Sequence, residues 1–376
     1  MGTGRYTVSV SIDVVPFVRE SKEEWARFVD TCPEAWLHHR PEFVESTVDN
    51  KTCVDWSFSL RFGGNIVGVC VLRRDSAGMG RVLSGPGLAL SPATNRKDVL
   101  LAAEKEIRRL AATGNCQGVR FHLSPLAPGL VGKRYHASLL ADLAFSFGPR
   151  EDNLDYVVWY VNMIDLHRDM NAIHKGFSKR NYSHVTRCAK IPLSTNIVTK
   201  CPVNDLQWSG YLDLHRLTFE RNSLRPFDEA RQERLRRAVT EGYMALVNAY
   251  EGADCIASIL LETYKNGAAY SVGACNARAL KIGAMVFIHY SAMRWAKDNN
   301  FKWYYMGTSS PQCRVGYDEF KRRFGGEKFD FLSGELILDR KAYLRKILLP
   351  TILEAGGLIP PVVRRVARAG RRILSR

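Results

Sequence analysis

Apolar positions along the chain switch between a helical and an alternating period, and the order of the switches occurs twice. In the first pass, Ser21 and Glu24 read as a capping box, and Trp25, Phe28 and Val29 supply the apolar helix face behind it. Residues 56–72 are rich in Phe, Val, Ile and Leu and are broken by Gly63-Gly64-Asn65, which predicts a strand, a tight turn and a second strand. Another strand is expected over 81–90. Val99, Leu100, Ala103, Ile107 and Leu110 fall at helical spacing, so 95–112 reads as a helix closed by Gly114, and a short strand follows at 118–123. In the second pass, Asn204 and Gln207 cap a helix running to Glu220. Residues 244–250 and 255–264 flank Gly252 as a hairpin, and 268–274 is a further strand. Residues 281–299 form a helix with Met285, Ile288, Met293 and Ala296 near one face, and 303–307 is a strand again.

Antiparallel strands followed by a helix and another strand describe an α/β unit with a mixed sheet. The repetition predicts two such units. Gly, Pro and charged residues cluster at 149–154, which sets the expected division: a first domain over 1–152, a second over 153–338, and a tail over 339–376.

Composition narrows the partners. The chain has 376 residues, 46% hydrophobic and 24% charged, enough apolar material to exclude a wholly disordered protein. Its net charge of +16 points to anions: nucleic acid, phosphorylated small molecules or a phospholipid surface. Nine cysteines, an odd number with no C-x-x-C spacing, read as reduced thiols of a cytoplasmic protein. The first residues lack the apolar core of a secretory signal, and no uncharged apolar run is long enough for a spanning helix.

Two segments concentrate the charge. From His174 to Lys190 there are seven basic or titratable side chains and no acid. On a helix, Arg180, His184 and Arg187 would share a face able to grip a diphosphate or a nucleic-acid backbone, the alternative being a solvated surface helix. From Pro361 to Arg376 six arginines lie opposite Val362, Val363, Val366, Ile373 and Leu374. That is the composition of a helix lying on anionic lipid, with a nucleic-acid arm or a docked helix as rivals.

Absent motifs remove several chemistries. There is no P-loop, no G-x-G-x-x-G, no G-x-S-x-G nucleophile elbow and no H-E-x-x-H, so no metal or resident cofactor is called for. The adjacent pair His38-His39 reads as surface or packing, since neighbouring side chains on a strand diverge. What remains is the stretch Tyr270-Ser-Val-Gly273-Ala274 leading into Arg278, Lys281, Gly283 and Ala284. A loop carrying Arg278, Lys281 and Gly283 that opens a helix could bind a donor's anionic group on free backbone N–H groups.

The run from Gly273 through Lys281-Ile-Gly283-Ala284, His289-Tyr290, Arg294-Trp295-Ala296-Lys297 and Tyr304-Tyr305-Met306-Gly307 to Phe320-Lys321-Arg322-Arg323-Phe324-Gly325-Gly326 resembles the FemAB family. These are peptidoglycan-bridge aminoacyltransferases and their relatives. Lys179-Arg180-Asn181 with Arg187-Cys188-Ala189-Lys190, and Pro41-Glu42-Phe43, are similar to further stretches of that family. The resemblance implies tandem GNAT-like domains, each with a mixed, mostly antiparallel sheet flanked by helices. It also implies transfer of an acyl or aminoacyl group to an amine of a cell-envelope or polysaccharide-related acceptor.

It further implies Phe320 and Lys321 at the reaction centre, where a fixed ammonium would stabilise charge developing on the attacked carbonyl. Substrate contacts would fall on Arg180, Asn181, Arg187, Tyr270 and Tyr317, and donor contacts on Arg278, Lys281 and Gly283. The donor would be acyl-CoA or aminoacyl-tRNA, making tRNA a potential partner. The alternatives are an acyl-CoA-dependent N-acetyltransferase acting on a small molecule and a non-enzymatic basic protein on membrane or nucleic acid. The expected location is cytoplasmic, peripheral on the inner membrane face if the tail binds lipid. This chain departs from the pattern in carrying Tyr305 where relatives often have Asp.

Overall fold

The structure, a computed structural model, describes residues 11–46, 53–75, 82–121, 126–129, 131, 154–309 and 315–337. The basic tail and most of the expected domain boundary lie outside the described residues.

Each pass forms its predicted unit. In the first, strands β1 (Asp13–Pro16), β2 (Cys53–Asp55), β3 (Phe58–Phe62), β4 (Asn65–Asp75) and β5 (Val82–Leu90) precede a helix, Arg96–Thr113, and β6 (Gly118–Phe121). The capping box is real: the Ser21 hydroxyl accepts from the Glu24 N–H and opens a helix, Lys22–Thr31, that buries Trp25 and Val29. After β7 (Leu154–Asp165) and β8 (Leu193–Val198), the second pass contains β9 (Met244–Glu251), β10 (Asp254–Tyr264), β11 (Gly267–Cys275), a helical segment and β12 (Trp303–Ser309). Helices Asp205–Arg221 and Glu229–Thr240 precede it, and the Asn204 side chain caps the first by accepting from the Gln207 N–H. Strands β3-β4-β5 and β9-β10-β11 are antiparallel runs, and each ends in a parallel pair, β5 with β6 and β11 with β12. The doubled unit is therefore present, in the tandem α/β arrangement expected.

How the two units join is not legible from local patterning. Strand β13 (Glu327–Ile337) pairs antiparallel with β6 on one edge and with β7 on the other, and β7 pairs with β12. All thirteen strands thus form one sheet, ordered β1-β3-β4-β5-β6-β13-β7-β12-β11-β10-β9-β8 with β2 on β4. The first half's core gathers Trp36, Leu60, Leu83, Ile107 and Phe121, and that of the second gathers Ile259, Ala284, Ile288, Tyr304 and Phe324. Aromatic side chains of β10 and β12, Tyr264, Trp303 and Tyr305, pack onto the first core, together with Tyr243 just before β9.

Two elements correct the sequence reading. The basic stretch is two helices, Met170–Lys175 and Lys179–Cys188, each capped by its own Asp169 or Ser178 side chain. The helix expected over 281–299 is α8 (Ala277–Ile282) followed by α9 (Ala284–Asp298). Gly283 between them has φ +80, the left-handed conformation that ends one helix and lets the next begin in a new direction. Arg278 and Lys281 therefore ride on a short helix, not in a loop.

Candidate functional site

The parallel pair at the centre of the second unit is incomplete. Strands β11 and β12 are in register only from Gly267, Ala268 and Ala269 to Trp303, Tyr304 and Tyr305. Beyond that point they diverge and leave a fork in the sheet. Gly307 helps to open it: its φ of +90 turns β12, and the register of β12 against β7 breaks between Tyr305 and Thr308. The fork holds a pocket of about 300 Å³ lined by Glu262, Ala269, Tyr270, Ser271, Tyr305, Met306, Gly307 and Lys321.

Lys321 reaches the fork from a helix, Val315–Arg322. It is only 5% exposed. The absence of a side chain at Gly307 makes room for it, because a Cβ there would lie 3.1 Å from the lysine Nζ. Lysine is almost never this buried without a polar environment to receive it. Next to it, Phe320 and Phe324 pack on each other and on the His289 ring, with centroids 5.8 and 5.2 Å from the imidazole.

His289 is fully buried on α9. Its Nδ1 is hydrogen-bonded to the Tyr304 hydroxyl at 2.8 Å, its Nε2 has no partner, and the Tyr270 ring meets it edge-on at 4.6 Å. Burial, reinforced by the Lys321 charge, pulls its pKa down to about 3, so the imidazole is neutral. Burial likewise pushes the Tyr304 phenol well above its usual range. On the His289 side of the lysine the protein thus places neutral polar and aromatic groups.

The remaining carboxylate of the pocket, Glu262, is bonded on both sides. The Ser271 hydroxyl donates to Oε1 at 3.3 Å, and His38 Nε2 lies 3.3 Å from Oε2. Burial alone would raise this carboxyl, but the imidazole's charge and hydrogen bond hold it below its ordinary value.

The basic residues singled out in the sequence assemble at a second place, the junction of α8 and α9. Arg180, His184 and Arg187 do share a helix face, with Arg180 Nε 3.4 Å from His184 Nε2 and Arg187 Nη2 2.7 Å from His184 Nδ1. The His184 ring fills the space where Gly283 lacks a side chain, and Arg187 donates to the Ile282 carbonyl at 2.8 Å. Lys281 is exposed beside them. Burial, followed by the charges of Arg187 and Arg180, lowers the His184 pKa, so this imidazole sits neutral among cations.

Other expected site residues are placed elsewhere. Arg278 is committed to Glu251 through two hydrogen bonds, Nε to Oε2 at 2.8 Å and Nη2 to Oε1 at 2.5 Å. Asn181 is buried, with its Nδ2 unpartnered. Tyr317 lies on the same helix as Lys321, with its side chain outside the described residues. Tyr270, Phe320 and Lys321 therefore meet at the fork, and Arg180, Arg187, Lys281 and Gly283 at the helix junction. Sequence reasoning missed Glu262, His38 and the role of His289 as packing beneath the lysine. The signal that would have found Glu262 is an acid directly after the apolar run Ile259-Leu260-Leu261 inside a strand.

No protein-family model and no curated protein sequence matches the chain. Solved structures do. FemX superposes with a TM-score of 0.67 at 13% identity, covering 89% of this chain and 99% of FemX. A tandem GNAT protein from the clavulanic acid biosynthesis pathway gives 0.51 at 15% identity, covering 86% of this chain and 98% of its own. The C-terminal domain of a putative lysylphosphatidylglycerol synthetase from Agrobacterium fabrum gives 0.51 at 12% identity, covering 76% and 86%. Identities this low speak for architecture alone: the chain has the fold of FemX, a tandem GNAT arrangement.

Proposed function

We propose that this chain is an acyltransferase that moves an acyl or aminoacyl group from an activated donor to an amine, with the fork between β11 and β12 as the transfer site. The observation that carries this reading is the burial of Lys321 against Gly307 inside the fork. When an amine attacks an ester or thioester, negative charge grows on the carbonyl oxygen. A buried, fixed ammonium stabilises that charge far more than water would, because it needs no reorganisation during the step. Direct attack of amine on donor requires no covalent enzyme intermediate. The aromatic wall of Tyr270, Phe320 and Phe324 packs around neutral His289 beside the lysine.

The donor reading rests on the helix junction. Arg180 and Arg187 flank His184 at the start of α9, whose N-cap Gly283 offers no side-chain cap, and the exposed Lys281 lies two residues before it. A phosphate-bearing handle suits that cluster, and α9 runs from there to His289 beside the fork. Acyl-CoA and aminoacyl-tRNA both carry such a handle.

The test is transfer to a panel of primary amines, followed by thiol release from acetyl-CoA and by label transfer from aminoacyl-tRNA. Wild-type protein should transfer from one of the two donors. Lys321→Met, which keeps the stem's volume, should lower kcat by ~10²–10³-fold with its melting temperature retained. Unchanged turnover would remove Lys321 from the mechanism.

A further inference from the structure

The fork is lined from both faces of the sheet, and its two sides differ in chemistry. Side chains alternate along a strand, so Tyr304 and Met306 of β12 join the core under α9 while Trp303 and Tyr305 join the core of the first half. On β11, Tyr270 lies with α9, and Ala269 packs towards Trp36 and Leu37 of the first half. Lys321 arrives from the α9 side, on the helix whose Phe320 and Phe324 pack there. Glu262 pairs in register with Ala269 and is bonded by Ser271, so it belongs to the opposite side.

That side is completed by the first half of the chain. His38 stands on the 3₁₀ turn Leu37–His39. Its neighbour His39 is buried and accepts the Trp36 N–H on Nδ1, while Trp25 Nε1 donates to the His39 carbonyl at 2.7 Å. Phe43 meets the His38 ring edge-on at 5.7 Å. The turn is thereby fixed, and His38 is aimed at Glu262. The charged or titratable groups facing this carboxylate are His38 from the turn, Lys321 across the pocket, and Arg73 of β4, which acts on His38 through space. Glu262 is kept ionised and hydrogen-bonded, yet it lines a pocket wall.

We propose that Glu262 is the docking and proton-accepting group for the acceptor amine, and that His38 is its positioning residue, contributed by the other half of the chain. This rests on the transferase reading above. The acceptor enters from the first-half side as an ammonium and pairs with the carboxylate. Glu262 takes one proton from it and passes that proton to solvent. The neutral nitrogen then forms the N–C bond to the carbonyl, whose oxygen faces Lys321. As the donor's C–O or C–S bond breaks, the nitrogen's second surplus proton ends on the departing oxygen or sulfur. The proposal gives the acceptor a chemical class: a primary amine that is cationic at pH 7, in place of a hydroxyl or a neutral amide.

The experiment is an imidazole nitrogen–proton NMR titration of the full chain with n-butylammonium, with n-butanol as the neutral control. The cation should shift the His38 signals saturably and the alcohol should not. In Glu262→Gln the apparent affinity should fall at least ~tenfold, the loss of one charge-assisted hydrogen bond, and Glu262→Asp should recover part of it. No saturable shift in the wild type, or an equal one in Glu262→Gln with an unchanged melting curve, overturns the proposal. Where transfer is observed, Glu262→Gln and His38→Gln should slow transfer to alkylammonium acceptors by a larger factor than transfer to hydroxylamine, which is neutral at pH 7. Equal slowing of both would assign the pair to holding the two halves together. Saturable binding by a wild-type protein that transfers nothing would sink the transferase reading while leaving the amine site standing.

Discussion

Mild acid should weaken this protein through two histidines that never contact solvent. His39 and His289 are 1% and 0% exposed, and burial pulls each pKa down to about 3. The charge of His38 adds to the effect at His39, and that of Lys321 at His289. In the unfolded chain both return to about 6.5. A group with a depressed folded pKa binds its proton more readily when unfolded, so stability is full above the unfolded value and drains as pH falls towards the folded one. Between pH 7 and pH 5 the linkage gives about 2 kcal/mol for each histidine, roughly 4 kcal/mol together. That is a large part of the 5–15 kcal/mol typical of a folded protein. Urea unfolding at the two pH values measures it. His289→Gln retains an amide able to bond Tyr304, and whatever it costs at both pH values cancels in the difference. The variant should lose about 2 kcal/mol less than wild type on going from pH 7 to pH 5. If it loses as much as wild type, His289 is not buried in its neutral form and the description of the floor beneath Lys321 is wrong.

Further outcomes can be checked with simple variants. Gly307→Ala forces a side chain into φ +90 and onto the lysine Nζ, so it should cost about 1–3 kcal/mol in a thermal or denaturant melt and depress transfer beyond what that loss explains. Lys265, whose ammonium donates to the Cys32 and Ala35 carbonyls at 2.6 and 2.9 Å, ties β10–β11 to the first half. Lys265→Met should cost about 1–3 kcal/mol in urea by leaving those carbonyls unsatisfied. Among the described cysteines Cys201 is the exposed one, whereas burial raises the thiol pKa of Cys32, Cys70, Cys188 and Cys275. Mass spectrometry after brief maleimide treatment should show Cys201 labelled well ahead of these four.

What the sequence disclosed and what it hid divide along physical lines. The hairpins, the Ser21 and Asn204 caps and the repeated unit are local, with turn residues and periodicity lying within a few positions of each other. Strands β7 and β13 went unread because their meaning is non-local. Val157–Val161 is a continuous apolar run with no alternation, as befits a strand paired on both edges, and only its partners reveal what it joins. The break at Gly283 was hidden because the helical period resumes directly after it. For the pair His38-His39, the packing reading holds for His39. His38 needed the other half of the chain to acquire a partner, and the two side chains part from a 3₁₀ turn, not a strand. By charge pattern alone, Lys321 beside Arg322 and Arg323 reads as a solvated position on a basic helix. Only the resemblance pointed inward, and the helix does bury Lys321 while leaving Arg322 exposed.

Strand β13 has a consequence for how the molecule is made. A ribosome releases β6 early, yet the strand that covers its open edge emerges only after the whole second unit has been synthesised. Until then the nascent first half carries a bare row of amides and carbonyls, ready to pair with any extended peptide nearby. Folding of this protein should therefore lean on chaperone shielding during translation, and chains arrested before residue 327 should aggregate through that edge, however sound their first half.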